Sequence, residues 1–414
     1  MTRTLLVVGH GMVGHRLMEQ LRARDPARTW RVVAVGEEHH LAYDRVGLSA
    51  YLDGKSRGDL TLVGADLLND PRVDLLLGSP VTEVDRAART ARTAHGAHLR
   101  YDALVLATGS RPFVPPVPGH DQAGCFVYRT FDDLDALRAA ARPGRPGVVV
   151  GGGLLGLEAA NALRLLGMRA RVVENGAHLM PAQLDAGAAA VLHRHVAGLG
   201  LGLHCGTSVA SVDAGPDGRV TSVTLGDGTV LDADVVVFAA GVRPRDELAG
   251  PLGLARGGRG GFAVDAFCRT ADERVWAIGE CAAVDGRCHG LVAPGYRMAD
   301  SVARQLTGDV PEPFDATDTP TTLKLLGVTV ATVGSVQAGH GQAVEAVFAE
   351  GTDRYAKVLL SRDGGALLGA VVAGGTGPSV AIRSLVGHRP PPDLEHLLLP
   401  RSPSAAPPER TFQS

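Results

Sequence analysis

Two clusters of glycine in this chain have the spacing that holds phosphate. The first is Gly9-His10-Gly11-Met12-Val13-Gly14 and the second is Gly151-Gly152-Gly153-Leu154-Leu155-Gly156. Each follows an apolar run, Leu5-Leu6-Val7-Val8 or Val148-Val149-Val150, and each opens a stretch of helical periodicity, residues 13–21 or 154–166. A strand, a glycine turn and a helix in that order aim free backbone N–H groups and the positive end of the helix dipole at a pyrophosphate. In the first cluster Gly9 permits the turn, Gly11 admits the phosphate to the backbone and Gly14 brings the helix close to the strand, with Met12 inside the loop. Gly151, Gly153 and Gly156 take the same parts in the second, with Leu155 inside the loop. An acid follows the next strand each time. Glu37, with Glu38 as a second choice, follows residues 31–35, and Glu174 follows residues 170–173. A carboxylate there accepts hydrogen bonds from an adenosine ribose. Two such sites imply two dinucleotides, and the chemistry that needs two is hydride transfer between a nicotinamide and a flavin.

The second acid favours NADH, because a carboxylate repels the 2′-phosphate of NADPH and the next residues, Asn175 and Gly176, bring no cation. Arg169 and Arg171 precede it and keep NADPH open as the less favoured nucleotide. Ala107-Thr108-Gly109-Ser110-Arg111-Pro112 and Ala239-Ala240-Gly241-Val242-Arg243-Pro244 form an internal repeat, one copy per glycine cluster. Ala107, Thr108, Gly109 and Gly241 are therefore counted with the cofactor sites. Gly279-Glu280 ends a further strand, residues 275–280, with Glu280 placed to bind the hydroxyls of a flavin side chain. Ala293-Pro294-Gly295-Tyr296 then opens a helix whose N–H groups, around Pro294, Gly295 and Tyr296, can face the flavin pyrimidine. Two readings are open for Glu158: a contact to the nicotinamide carboxamide, or an acid at a helix start favoured by the dipole.

The elements that must position these residues repeat. A strand, glycine loop, helix, strand and acid occur twice, which predicts an α/β protein. It has two Rossmann-like dinucleotide-binding domains (FAD and NAD) plus a small C-terminal α+β domain. The FAD-binding domain is expected over residues 1–115 and 248–312, the NAD-binding domain over 116–247 and the α+β domain over 313–390. Residues 391–414 read as a mobile tail rich in Pro and Ser.

Composition excludes other classes. With a formal net charge of −3 over 414 residues, neither nucleic acid nor an anionic membrane is expected as a partner. Residues 147–168 are as long as a membrane span. They hold five glycines before Glu158, then Asn161 and Arg164, and read as strand, phosphate loop and buried helix. Met1-Thr2-Arg3-Thr4 runs straight into a strand, which leaves no signal peptide in the reading. The cysteines are Cys125, Cys205, Cys268, Cys281 and Cys288. None pairs in a C-x-x-C or C-x-x-x-x-C spacing, so no redox dithiol and no metal site is expected, and a reducing, cytoplasmic location fits. His10, His39, His40, His193 and His195 are assigned to surface or packing roles.

Together the two glycine clusters, Ala107-Thr108-Gly109, Gly241-Val242-Arg243-Pro244 and Ala277-Ile278-Gly279-Glu280-Cys281 resemble the FAD-dependent pyridine nucleotide–disulfide oxidoreductase superfamily, over residues 1–395. Other strings narrow the resemblance. Gly11-Met12-Val13-Gly14-His15-Arg16, Ala42-Tyr43-Asp44-Arg45-Val46 and Cys125-Phe126-Val127-Tyr128-Arg129-Thr130 are three of them. Gly290-Leu291-Val292-Ala293-Pro294-Gly295-Tyr296 and Leu323-Lys324-Leu325-Leu326-Gly327-Val328 are two more. They are similar to the N-terminal flavin module of the assimilatory NAD(P)H nitrite reductase large subunit. Rubredoxin and ferredoxin reductases are the next group. Their Arg-Pro-Pro-Leu-Ser-Lys run is here Arg45-Val46-Gly47-Leu48-Ser49-Ala50, without the Lys. The resemblance adds Arg45 and Lys324, the cations of two of these strings, to Glu158 as residues of the reaction site, Arg45 also as a cofactor contact.

In the resembling enzyme the flavin module leads into iron–sulfur and sirohaem domains, whereas here no Cys follows Cys288. The resemblance therefore implies an oxidoreductase that passes electrons from NADH through FAD to a separate iron–sulfur protein or a nitrite/nitrate reductase partner subunit. Two alternatives stand beside it. One is a self-contained flavin reductase of a small nitrogen-oxide, nitro or quinone substrate, and the other is a non-catalytic, NADH-sensing flavoprotein. The oligomeric state is left open, a homodimer being one option.

Overall fold

The computed structural model describes residues 2–315, 321–334, 343–374, 382 and 384–399. Its contacts divide the chain into two compact units. One comprises Met1–Pro116, Gly124–Arg142 and Val237–Ala316, and the other Val117–Ala123, Pro143–Val236 and Thr317–Ser414.

The first unit is built on a five-stranded parallel sheet. Its order is Val275–Ala277, Ala103–Leu106, Arg3–Val8, Trp30–Val35, Val73–Leu76. Leu5 to Val8 and Leu104 to Leu106 are at most 5% exposed. Burial on both faces is why these strands read as continuous apolar runs rather than as an alternation. Helix Met12–Arg24 buries Leu17, Met18 and Leu21, and helix Val292–Thr307, which packs against it, buries Met298, Val302 and Leu306. A small antiparallel sheet of Val81–Asp85, Thr90–Thr93 and His98–Arg100 is added at one side.

The segment 124–142 clusters with this unit, although its position in the chain suggests the second domain. Aromatic packing explains it. The Phe131 ring lies 4.1 Å from that of Tyr43 and 4.9 Å from that of Tyr51, and Tyr51 Oη donates to Asp135 at 2.7 Å. Helix Phe131–Ala140 starts there with a capping box between Thr130 and Asp133.

The second unit repeats the plan. Strands Pro146–Val150, Arg169–Glu174 and Gly202–Cys205 run parallel, with helices Leu154–Leu165 and Ala186–Gly198 between them in sequence. Residues 147–168 thus divide into strand, loop and helix, and among the described residues no helix is long and apolar enough to cross a membrane. The C-terminal part is an antiparallel sheet ordered Thr321–Leu325, Val328–Gly334, Leu367–Ala373, Arg354–Ser361, Ala343–Glu350. The fold is α/β with two Rossmann-like parallel arrangements, as the sequence predicts.

The tail differs from expectation. Residues 391–399 hold a short helix, Leu394–Leu398, and Leu394, Leu398 and Leu399 are buried in one core with Val358, Ala370 and Ile382. A leucine pair at i and i+4 gives the helix an apolar face that the Pro-rich composition hides. Residues 400–414 lie outside the described residues.

Candidate functional site

The first glycine loop is fixed by backbone contact. Gly9 has φ +115°, and a Cβ on it would fall 2.0 Å from the Ala107 carbonyl oxygen. A Cβ on Gly14 would fall 2.2 Å from the oxygen of Gly9. Neither position admits a side chain. Gly11 is different, because no atom lies within 4 Å of where its Cβ would be. It caps helix Met12–Arg24 with no side-chain hydrogen bond, and the first turn carries no acid. The unmet N–H groups of that turn therefore face open space, which is what a pyrophosphate needs.

Other predicted residues gather at this loop. Gly279 (φ +78°) and Gly295 both close on Val13, where added Cβ atoms would lie 3.2 and 2.6 Å from its Cγ2. This contact brings Gly279-Glu280 and Pro294-Gly295-Tyr296 to the first turn of the helix that begins at Met12. Thr108 Oγ1 donates to the Arg245 carbonyl at 2.6 Å, and the Gly109 carbonyl accepts from Arg245 N–H at 2.9 Å. Gly241 (φ +105°) accepts from Phe113 N–H at 2.9 Å.

Charged side chains continue from here. Glu37 is 54% exposed and forms an ion pair with Arg245. Glu38 turns the other way, pairing with Arg45 and accepting from Tyr43 Oη at 2.8 Å. Arg45 also donates to Tyr43 Oη and to the Arg129 carbonyl, both at 3.0 Å. Burial disfavours the Arg45 charge, but Tyr43 and Glu38 outweigh it and hold the guanidinium above its ordinary range; burial likewise pushes the Tyr43 phenol up. Arg129 forms an ion pair with Glu280 and donates to Ser110 Oγ at 2.9 Å, and Ser110 Oγ donates to Glu280 at 2.8 Å. Glu280 is thus held by two residues that motif reasoning did not select. Both lie inside strings that motif reasoning quotes, Gly109-Ser110-Arg111 and Tyr128-Arg129-Thr130. The usable signal was that those strings exceed what a dinucleotide loop requires.

The second loop has the same construction. Gly151 has φ +116°, and Gly153 caps helix Leu154–Leu165 with no side-chain bond, no acid in the first turn and open space at its Cβ position. Gly156 is buried in that helix and Leu155 precedes it. Gly152, to which sequence reasoning gave no part, is a packing glycine, since a Cβ there would fall 2.8 Å from that of Glu174. Glu174 accepts from Gly152 N–H and from Gly176 N–H, each at 2.6 Å. Glu158 is the fifth residue of its helix. Because the first turn carries no acid, the helix-start reading of Glu158 is corrected. The strand carrying Lys324 packs against this helix and pairs Lys324 with Thr329; the Lys324 side chain lies outside the described residues.

Burial pushes the thiols of Cys205, Cys268 and Cys281 up, and that of Cys288 up to about 11. Thiolate chemistry at neutral pH needs the opposite shift. His10 is 8% exposed, both ring nitrogens lack a partner, and burial first and His15 second lower its pKa to about 4.

Two uncapped glycine loops on parallel sheets, each followed by an acid, define an oxidoreductase that uses two dinucleotides. The chain matches the pyridine nucleotide-disulphide oxidoreductase family over residues 3–304 and belongs to it, with FAD and NAD(P)H as its cofactors. It is 46% identical over 404 residues to the NAD(P)H nitrite reductase large subunit of Klebsiella oxytoca, covering 97% of this chain and 42% of that one. It is 33% identical over 373 residues to the assimilatory nitrate reductase electron transfer subunit of Bacillus subtilis, covering 90% and 48%. Among solved structures, the covalent putidaredoxin reductase–putidaredoxin complex superposes with a TM-score of 0.83 at 26% identity, covering 94% of each chain. The chain spans less than half the length of these two curated relatives.

Proposed function

We propose that this chain is an NADH-dependent reductase that passes electrons through FAD to a separate iron–sulfur protein or to a nitrite/nitrate reductase partner subunit. The observation that carries the reading is the pair of uncapped glycine loops, at Gly11 and Gly153, each open where a phosphate would approach. In this reading the loop Gly9, Gly11, Met12 and Gly14 holds the FAD pyrophosphate. Glu37 binds its ribose, and Glu280, steadied by Arg129 and Ser110, binds its ribityl hydroxyls. Ala107, Thr108, Gly109 and Gly241 shape the walls, and the helix start at Pro294, Gly295 and Tyr296 faces the ring. Gly151, Gly153, Leu155 and Gly156 hold the pyrophosphate of NADH, and Glu174 favours its free 2′-hydroxyl. Glu158, Lys324 and Arg45 are the polar residues of the reaction site. The domain assignment is FAD on residues 1–115 and 248–312 and NAD on 116–247, except that residues 124–142 and 237–247 cluster with the first unit. FAD, when bound, supplies the exchange between a hydride and single electrons.

The names of two relatives support the acceptor class. One is an electron transfer subunit, and the other was captured with putidaredoxin. Cysteines that stand outside any disulfide suit a reducing, cytoplasmic setting.

The test uses the purified 414-residue chain. With NADH it reduces ferricyanide rapidly, with nitrite alone it forms no ammonium, and Gly11→Val yields mostly flavin-free protein. Steady ammonium formation by this chain alone overturns the electron-transfer reading in favour of a self-contained reductase.

A further inference from the structure

The acids that follow the two glycine loops are held in different ways. Glu174 accepts backbone N–H bonds from Gly152 and Gly176, both at 2.6 Å, and has no ion pair among the described residues. Glu37 is instead paired with the guanidinium of Arg245. Arg245 directly follows the second copy of the internal repeat, yet it belongs to the first unit. Its backbone fixes it there. Its N–H donates to the Gly109 carbonyl at 2.9 Å, and its carbonyl accepts from Thr108 Oγ1 at 2.6 Å. The strand before it, Val242–Pro244, pairs antiparallel with Ser110–Pro112.

The sheet order says what the ion pair spans. Thr108 and Gly109 follow strand Ala103–Leu106, and Glu37 follows strand Trp30–Val35. Strand Arg3–Val8 lies between the two, with Val8 level with Leu106 on one side and with Val35 on the other. Across two strand spacings, roughly 10 Å, the Arg245–Glu37 pair bridges the carboxyl end of the strand that opens into Gly9. A dinucleotide on such a sheet lies in the crevice outside the carboxyl ends of the strands. We propose that Arg245 is a cofactor-binding residue, a clasp whose guanidinium stays on Glu37 and donates its remaining N–H groups to the pyrophosphate of FAD. This rests on the assignment of FAD to the first glycine loop.

Charge and donor chemistry carry the proposal. A pyrophosphate brings two negative charges, against roughly half a positive charge at a helix N-terminus. Glu37, placed for the adjoining ribose, adds another negative charge. The other cations described around this loop are engaged, Arg129 with Glu280 and Arg45 with Glu38. Arg245 is the cation that offsets Glu37. A guanidinium carries five N–H donors in a planar fork that matches both carboxylate and phosphate. The Arg245 side chain is 36% exposed, so donors not used by Glu37 are open to a ligand. The contrast with Glu174 suits the traffic at the two loops. A nicotinamide that gives up its hydride must leave at every turnover, and its loop has no such cation. The flavin must stay, and its loop has one.

The release of FAD from the purified flavoprotein on dilution, followed by the recovery of flavin fluorescence, tests the clasp. Arg245→Met should release FAD about tenfold faster than the wild type, the loss of one charge-assisted hydrogen bond to phosphate. Added salt should speed release from the wild type more than from the variant, because one screened charge pair is gone. Arg245→Met should speed release by a similar factor in a Glu37→Gln background, where the ion pair is already cut. A wild-type release rate in Arg245→Met overturns the proposal. So does an effect that vanishes in the Glu37→Gln background, which would make Arg245 a positioning residue for Glu37 without contact to the cofactor. If Arg245→Met is isolated without flavin, Arg245→Lys carries the test. Release faster than the wild type is then expected, and a wild-type rate overturns the proposal. Full flavin occupancy in Gly11→Val is a separate outcome: it overturns the loop assignment itself, and the clasp with it.

Discussion

At the scale of single residues, His10 shows how a tight glycine loop shapes its own contents. It sits between two glycines with both ring nitrogens buried and unpartnered, so its neutral form is strongly preferred. A pKa of about 4 in the folded chain against 6.5 unfolded means that the unfolded chain binds the extra proton between those values. The stability contributed by neutral His10 is complete above pH 6.5 and is lost as pH falls toward about 4. At 1.36 kcal/mol per unit the loss approaches about 3 kcal/mol. His10→Leu should flatten the acid limb of a urea-midpoint-versus-pH curve over that window. An unchanged slope would show that the ring is more solvated than its burial indicates. The glycines around it were legible in sequence because their spacing is dictated by backbone sterics. The Glu280–Arg129–Ser110 cluster was not, because it assembles from segments up to 170 residues apart, and motif spacing carries no information across such distances.

At the scale of elements, helix Ala186–Gly198 is fastened to the antiparallel sheet at three points. Asp185, its N-cap, accepts from Tyr355 Oη at 2.7 Å and lies 3.2 Å from Lys357 Nζ. Arg194 donates to the Thr352 carbonyl, and His195 Nε2 lies 2.7 Å from the Leu326 carbonyl. Gly187 fits under Tyr355 only because it lacks a side chain, since a Cβ would fall 2.3 Å from the ring. Lys357, 8% exposed, is the buried cation of this joint. Lys357→Met should cost about 2 kcal/mol at pH 7, somewhat less than breaking a fully buried pair. Burial opposes the Asp185 charge, but Tyr355, the Ala188 N–H and Lys357 outweigh it and hold the carboxyl below its usual range. The contribution is therefore present above the unfolded value near 3.9 and disappears as pH falls through the folded one. The gap between variant and wild-type melting temperatures should shrink at pH 3, and a gap independent of pH would mean that packing, not charge, holds the joint. The sequence pattern marks residues 313–390 as a domain of their own. The strand pattern was visible there, but the joint was not, because Asp185 reads as an ordinary helix cap.

At the scale of the whole molecule, the first unit is assembled from three separate passes of the chain, and the strand Val275–Ala277 is the last piece of its sheet. Its core runs from Leu5 to Phe314. The parallel strands between Pro146 and Cys205, by contrast, come from one uninterrupted stretch. This has a consequence for synthesis. Domains usually fold in the order in which they leave the ribosome. Here the part translated first must wait for residues made much later, whereas the three parallel strands of residues 146–205 are complete within one stretch. Nascent chains stalled at increasing lengths should gain protease resistance over residues 143–236 before residues 1–116. Early protection of the N-terminal segment would show that its four earlier strands suffice. If the expected order holds, flavin capture is a late event on the ribosome, and a chain cut short of residue 275 emerges with its first glycine loop written but unable to hold a cofactor.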